Sequence, residues 1–346
     1  MTRSLGTGSA EPSVDITVLL PVRNAAATLP AALTSLSAQT LDAFTVLILD
    51  DGSTDGSLDV ARDWARRDPR FVSVESEPRG IVRTLQEGLS RVRTEFVARM
   101  DADDVCLPRR LAVQSAFLRE RGDLVGCGAQ VVPVPGQPVK DRALEYLAWL
   151  NGLTDWESVE RDLFVECPLA HPTFFFRAEA LRRAGGYRDR SWPEDYDLLL
   201  RLWRLGGRYC SVPEPLLEWG EGDHRLSKTH PAYSTAAFAR CRLHHLHRAV
   251  LPDFAGVAIW GSGPTGKLLG RLCPEVGVRL ANFVDVDPRK IGQEIHGVPV
   301  LEAREAASRK GLFHLGAVAR KQGRESLRRM VRELGLEEGV NFRSVA

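Results

Sequence analysis

The sequence lacks an excess of charge of either sign. Its 46 Lys and Arg residues stand against 45 Asp and Glu, for a net charge of +1. That balance removes the electrostatic reason to expect nucleic acid as a partner. The abundant arginines are interleaved with acids and read as solvated helix faces. Paired cysteines are lacking too: the six (Cys106, Cys127, Cys167, Cys210, Cys241 and Cys273) form no CxxC motif. In a chain of 346 residues this argues against a zinc site or disulfide framework and for reduced thiols, with a cytoplasmic location expected. No run of 18 apolar residues occurs, so no membrane-spanning helix is expected, although peripheral membrane contact stays open. The small, polar start up to Ser13 does not resemble a signal peptide. There are no tandem repeats or low-complexity stretches.

What is present is alternation. Short apolar strands are expected at Asp15–Pro21, Phe44–Leu49, Phe71–Glu75 and Phe96–Met100, separated by helical spacing at Thr28–Gln39, Ser57–Arg67 and Ile81–Arg91. This order predicts an α/β fold with a mainly parallel sheet covered on both faces. The middle is less regular: Val131–Val139 reads as loop and edge, Ala143–Phe164 as helix, Pro172–Phe176 as strand and Glu194–Leu205 as helix. Ala232–Val250 reads as a helical connector. At Val257 the pattern restarts with a strand, GSGPTG, a helix and a second strand at Ala281–Val286, which places a smaller α/β domain after a boundary near Leu251–Ala255. The expected division is 15–230, a connector at 231–254, and 255–346.

Open α/β sheets bind ligands at the carboxyl ends of their strands. Asp50 and Asp51 close one strand, and Asp101, Asp103 and Asp104 close another; Glu194 and Asp195 open a later helix. Asp101 and Asp103 are spaced to share one hard divalent cation, Mg²⁺ or Mn²⁺, which would neutralise a diphosphate. The bland alternative is that these acids only cap helices, where the macrodipole makes them worth about 0.3–1 kcal/mol.

The order of ITVLLPVRN, VLILDDGSTDGS, RGIVRTLQEGL, FVARMDADD, AHPTFFF, GGY and PEDYDLLLRL resembles the family 2 glycosyltransferases, across roughly Asp15 to Ser227. The resemblance implies a GT-A type fold, a nucleotide-diphospho-sugar donor (UDP being the commonest nucleotide), a Mn²⁺ or Mg²⁺ ion, and hexosyl-type transfer with inversion to a sugar, lipid-linked or other hydroxyl acceptor. Carried over by motif, Pro21 and Arg23 belong to the first donor loop, Arg23 standing where an aromatic residue is frequent. Asp51, with Asp50 beside it, would meet the nucleobase. Arg79, Gly80 and Arg83 would lie over the nucleotide, and Asp101 and Asp103 would hold metal and diphosphate. Asp195 matches the catalytic base, with Glu194 orienting it or meeting the acceptor. His224 is a candidate third metal ligand. His171 reads equally as a structural histidine, Asp197 reads as structural, and His244, His245 and His247 read as decoration of the connector.

The later GSGPTG follows a strand and opens a helix, the context in which GxGxxG receives a phosphate. Gly261, Gly263 and Gly266 are its glycines and Asp285 stands near the place of a ribose-binding acid. A P-loop reading fails because Leu268 occupies the Ser/Thr position. The region from about Gly256 resembles the small Rossmann-like domains joined to sugar-modifying enzymes, including the N-terminal domain of sugar acyltransferases. That implies nucleotide binding without naming a chemistry. Two other readings stay open: a non-catalytic nucleotide-sugar scaffold, and an NAD(P)-linked enzyme acting through this domain.

Overall fold

The computed structural model describes residues 15–136, 139–220 and 226–346. Among these the strands fall into two sheets. The first uses β1 (Ile16–Val22), β2 (Phe44–Asp51), β3 (Phe71–Ser76), β4 (Phe96–Arg99), β5 (Val105–Cys106), β6 (Gly126–Pro133), β7 (Phe175–Arg177) and β8 (Tyr209–Trp219). Their order is β3-β2-β1-β4-β7-β6-β8-β5. The β1 to β4 group pairs in parallel, while β7 runs antiparallel to both β4 and β6, and β5 antiparallel to β8. The fold is therefore α/β with a mainly parallel mixed sheet.

Burial on both faces explains the unbroken apolar runs of β1 and β2, where Ile16, Val18, Leu20, Val46 and Ile48 are all 0% exposed. The register sets Val22 against Asp50 and Leu19 against Arg99, so the carboxyl ends of β2, β1 and β4 share one edge. This edge carries the acids singled out above.

The second sheet uses β9 (Gly256–Trp260), β10 (Leu280–Val284), β11 (Glu294–Ile295), β12 (Val298–Leu301), β13 (Leu312–Gly316) and β14 (Phe342–Ser344), in the order β11-β12-β10-β9-β13-β14. All its pairings are parallel except β11 with β12. The chain turns back between β9 and β13, which makes their carboxyl ends the switch point of the sheet. Trp260, Val284, Phe342 and Leu327 fill one core. Inside it the Trp260 indole donates to His314 Nδ1 at 2.9 Å, and burial lowers the His314 pKa to about 4.

Several elements differ from the sequence reading. Ala143–Phe164 is two helices, Asp141–Asn151 and Trp156–Asp162, because Asp155 caps the second by accepting from the Ser158 amide. The stretch from His171 is first a 3₁₀ turn, with the strand beginning at Phe175. The Val131–Val139 segment overlaps the end of β6. The stretch read from the sequence as a connector forms the helix Thr235–Ala249, capped by Ser234.

The chain gathers into two compact units that do not follow sequence order. Among the described residues, one holds those up to Ala143 with Ala170–Gly186 and Val212–Gly220; the other holds Leu144–Leu169, Tyr187–Ser211 and those from Leu226 on. Within the second unit, the β14 residue Arg343 lies 5.4 Å from the ring centroids of both Phe164 and Trp203, and Arg328 pairs with Asp162 at 2.7 Å. The helix that starts with Glu194 thus belongs to the same packed body as the second sheet.

Candidate active site

The first unit builds a cradle at the ends of β1 and β2. Asp51, 4% exposed, accepts from the backbone amides of Arg79 at 2.8 Å and Gly80 at 3.0 Å. Arg23 reaches over from the end of β1 to the Asp51 carbonyl at 2.9 Å and its carboxylate at 3.4 Å. Gly52 (φ +69°) makes this possible, since a Cβ there would lie 2.6 Å from the Pro78 ring. Gly80 (φ +86°) turns the loop into the helix Ile81–Arg91. Asp50 is buried, and one of its oxygens accepts from the Ser53 amide at 3.0 Å. The Arg79 guanidinium pairs with Glu87, and Arg83 is exposed on the first turn of that helix. Pro21 is the penultimate residue of β1. The structure thus brings Arg23, Asp51, Arg79 and Gly80 into one hydrogen-bonded group.

At the end of β4, Asp101, Asp103 and Asp104 each offer a carboxylate oxygen within 4.8 Å of the others. Oxygen-only donors at this spacing suit a hard divalent ion. Asp101 and Asp103 are partly exposed and Asp104 is buried. Asp104 Oδ1 accepts from the Gly220 amide at 2.9 Å, which ties the end of β8 to the acid turn. Below the turn, the buried Arg99 pairs with Asp101. Burial, with Arg99 nearby, holds the His171 imidazole well below its ordinary pKa, so it is neutral at pH 7. His224 lies outside the described residues.

In the second unit Pro193 introduces the helix Glu194–Arg204. Glu194 is 2% exposed and accepts from the Tyr233 hydroxyl at 2.6 Å, whereas Asp195 is partly exposed. Asp195 accepts from the Tyr196 amide at 2.7 Å, and the Cys167 thiol lies 3.9 Å from its other oxygen. Burial and the Asp195 charge push that thiol's pKa well up, keeping it protonated. Two residues on, Asp197 faces inward and accepts from Trp192, His245 and Arg201 at 3.1, 3.0 and 2.8 Å. Burial raises its pKa, but the bonds from His245 and Arg201 more than offset this and bring it to about 2. Asp197 is thus engaged by its own chain, and His245 packs in the interior rather than decorating a surface. His244 is held near a pKa of 4 by burial and its His245 neighbour.

At the switch point of the second sheet, a Cβ on Gly266 would overlap the Gly261 carbonyl oxygen, and Gly261 itself has φ +102°. Among the described residues other than its chain neighbours, nothing lies within 4 Å of a Cβ on Gly263. Asp285 accepts from the Ser262 amide at 3.0 Å, from the Ser262 hydroxyl and from Lys290 at 2.9 Å. Burial works against its charge, but these bonds win and hold its carboxyl well below the usual range.

Three residues here escaped the sequence reading: Arg99, Tyr233 and Cys167. Arg99 left a signal, being a cation inside an otherwise apolar strand. Tyr233 and Cys167 left none, because they lie 39 and 28 positions from the acids they touch.

Comparison with known proteins supplies the family. The model described as glycosyl transferase family 2 matches residues 17–183. The amylovoran biosynthesis glycosyltransferase AmsE of Erwinia amylovora is 31% identical over 197 residues, covering 57% of this chain and 71% of that one. The O-antigen biosynthesis glycosyltransferase WbnJ of Escherichia coli is 28% identical over 156 residues, covering 44% of this chain and 58% of that one. In fold, the chain is similar to the crystal structure of S. aureus TarS 1-349 in complex with UDP-GlcNAc. The TM-score is 0.51 at 16% identity, over 74% of this chain and 71% of that one. With its motifs in order along a mainly parallel GT-A sheet and a second α/β region after them, the chain belongs to glycosyl transferase family 2 and is a glycosyltransferase.

Proposed function

We propose that this glycosyltransferase moves a sugar from a nucleotide-diphospho-sugar to an acceptor hydroxyl with inversion, and that it requires a divalent metal. The observation that carries this reading is the set of three carboxylate oxygens within 4.8 Å of one another at the end of β4. It shares its sheet edge with the Asp51 cradle. Pro21, Arg23, Asp50, Asp51, Arg79, Gly80 and Arg83 receive the nucleoside, and a uridine nucleotide is in keeping with the fold similarity to a UDP-GlcNAc complex. A Mn²⁺ or Mg²⁺ ion on Asp101 and Asp103 would supply charge neutralisation for the departing diphosphate.

The remaining chemistry falls to the chain's own groups. Asp195, partly exposed and opening its helix, accepts the proton of the acceptor hydroxyl as that oxygen bonds to the anomeric carbon. The bond from that carbon to the diphosphate breaks, and the nucleoside diphosphate leaves with the electron pair. Glu194, held by Tyr233, orients this end of the helix. The two relatives are named for the biosynthesis of amylovoran and of O-antigen, which supports a saccharide as acceptor. The glycine loop at Gly261, Gly263 and Gly266, with Asp285 bracing it, is a second nucleotide-phosphate site on a Rossmann-like domain of residues 255–346. The open space beside Gly263 supports this. Among the described residues no helix is long and apolar enough to cross a membrane. Six buried free thiols fit a reducing compartment.

A positioned general base is worth about 10²–10⁴ in rate. Asp195→Asn is therefore expected to lower the rate of nucleoside diphosphate release by about that factor, with donor binding retained. Full turnover in this variant would remove Asp195 from the mechanism.

A further inference from the structure

Arg242 is a buried cation of the second unit, 6% exposed, on the helix Thr235–Ala249. Its guanidinium lies 5.8 Å from the Tyr196 ring centroid and 5.7 Å from that of Phe238, within the range of a cation–π attraction. It also pairs with the Glu166 carboxylate at 3.5 Å and donates to the Val345 carbonyl at 3.1 Å. Desolvation makes such a buried pair weak evidence for stability by itself. What its partners share is a neighbour. Tyr196 donates its backbone amide to Asp195 Oδ1 at 2.7 Å, and its hydroxyl is fixed on the Leu163 carbonyl at 2.7 Å. On the other side, Glu166 accepts from the Cys167 amide at 3.0 Å, and the Cys167 thiol lies 3.9 Å from Asp195 Oδ2. Val345, just after β14, donates its amide to the Gly316 carbonyl at the end of β13 at 2.9 Å.

We propose that Arg242 is a positioning residue that sets the Asp195 carboxylate for transfer and ties it to the second sheet. A planar guanidinium can lie on a ring while it bonds a carboxylate and a carbonyl, so one side chain braces both flanks of Asp195. Tyr196 carries that brace to one carboxylate oxygen, and Glu166 with Cys167 carries it to the other. Through Val345 the end of the second sheet becomes part of the same mounting. The inference rests on Asp195 being the general base, as read above. It adds a prediction that a packing role does not share: the loss caused by removing Arg242 disappears once Asp195 can no longer take a proton.

The test is a double-mutant cycle on the full chain, with thermal melting as the check on folding. It reads nucleoside diphosphate release to water in Mn²⁺, using whichever of a panel of UDP-, GDP- and dTDP-sugars the parent turns over fastest. Arg242→Met is expected to lower kcat by about ten- to a hundredfold, the cost of a slightly misplaced reacting group, with the donor KM held within about twofold. In an Asp195→Asn background the same substitution is expected to change kcat by less than about twofold. Should the Met variant fail to fold, Glu166→Gln cuts the ion pair from a partly exposed residue and enters the same cycle, with an expected loss of about threefold or more. Unchanged kcat in a folded Arg242→Met variant, or a loss that persists in full beside Asp195→Asn, overturns the role given to Arg242 while leaving Asp195 as the base. Full turnover by Asp195→Asn alone overturns both together.

Discussion

The two sheets both end parallel strands in acids followed by a turn, and they treat those acids in opposite ways. In the second sheet Asp285 is fully engaged by Ser262 and Lys290, so its charge braces the glycine loop. In the first, Asp101, Asp103 and Asp104 bring their carboxylate oxygens within 4.8 Å of one another, with Asp101 paired to Arg99 and Asp104 accepting from the Gly220 amide. Asp285 braces its own loop, whereas the gathering of three carboxylates is what supports the metal reading proposed above.

The largest effect that could break this contrast is on turnover. Asp103→Ala is expected to lower nucleoside diphosphate release by about 10³-fold, several kcal/mol of charge stabilisation being lost. Asp285→Ala is expected to retain turnover and to lower stability by about 1–3 kcal/mol. Reversal of these outcomes in paired assays would show that the second edge is the chemical one.

A smaller effect concerns the core below the second edge. The His314 imidazole titrates near 4 in the folded protein against 6.5 when free. Below about pH 6.5 the unfolded chain takes up a proton that the folded chain refuses, so stability is full above that value and falls as pH drops toward 4. The fall amounts to about 3 kcal/mol. Denaturant titrations at pH 7 and pH 4.5 check this, and a His314→Gln variant should lose that part of the slope.

Finer still is a comparison within the glycine loop. Gly266→Ala should cost about 1–3 kcal/mol because the methyl meets the Gly261 carbonyl. Gly263→Ala, with open space beside it, should change stability by less than about 0.5 kcal/mol. If Gly263→Ala nevertheless weakens nucleotide binding, measured by calorimetry, the loop receives phosphate; equal binding would mark it as packing alone.

Much of the first sheet could be read from residue order. The apolar runs of β1, β2 and β4 and the polar turns behind them announce buried parallel strands, and Asp50–Asp51 and Asp101–Asp103 announce an acidic edge. The helix Glu194–Arg204 was equally plain from its acidic first turn. The strand Tyr209–Trp219 was not, since Pro213, Glu214 and Pro215 interrupt its apolar pattern and suggest a loop. Nor was the break at Gly152–Asp155 visible, because the apolar residues on either side keep helical spacing. His245 looked like surface decoration until the packing of its helix turned it toward Asp197.

Local order of residue types was enough to specify the strands, the turn glycines and which acids sit at strand ends, because these depend on neighbours in the chain. Tertiary packing alone decided that Arg99 lies under Asp101, that Tyr233 holds Glu194, and that the segments Leu144–Leu169 and Tyr187–Ser211 join the unit of the second sheet. Such pairings depend on which surfaces exclude water together, and no spacing rule within a single segment encodes that.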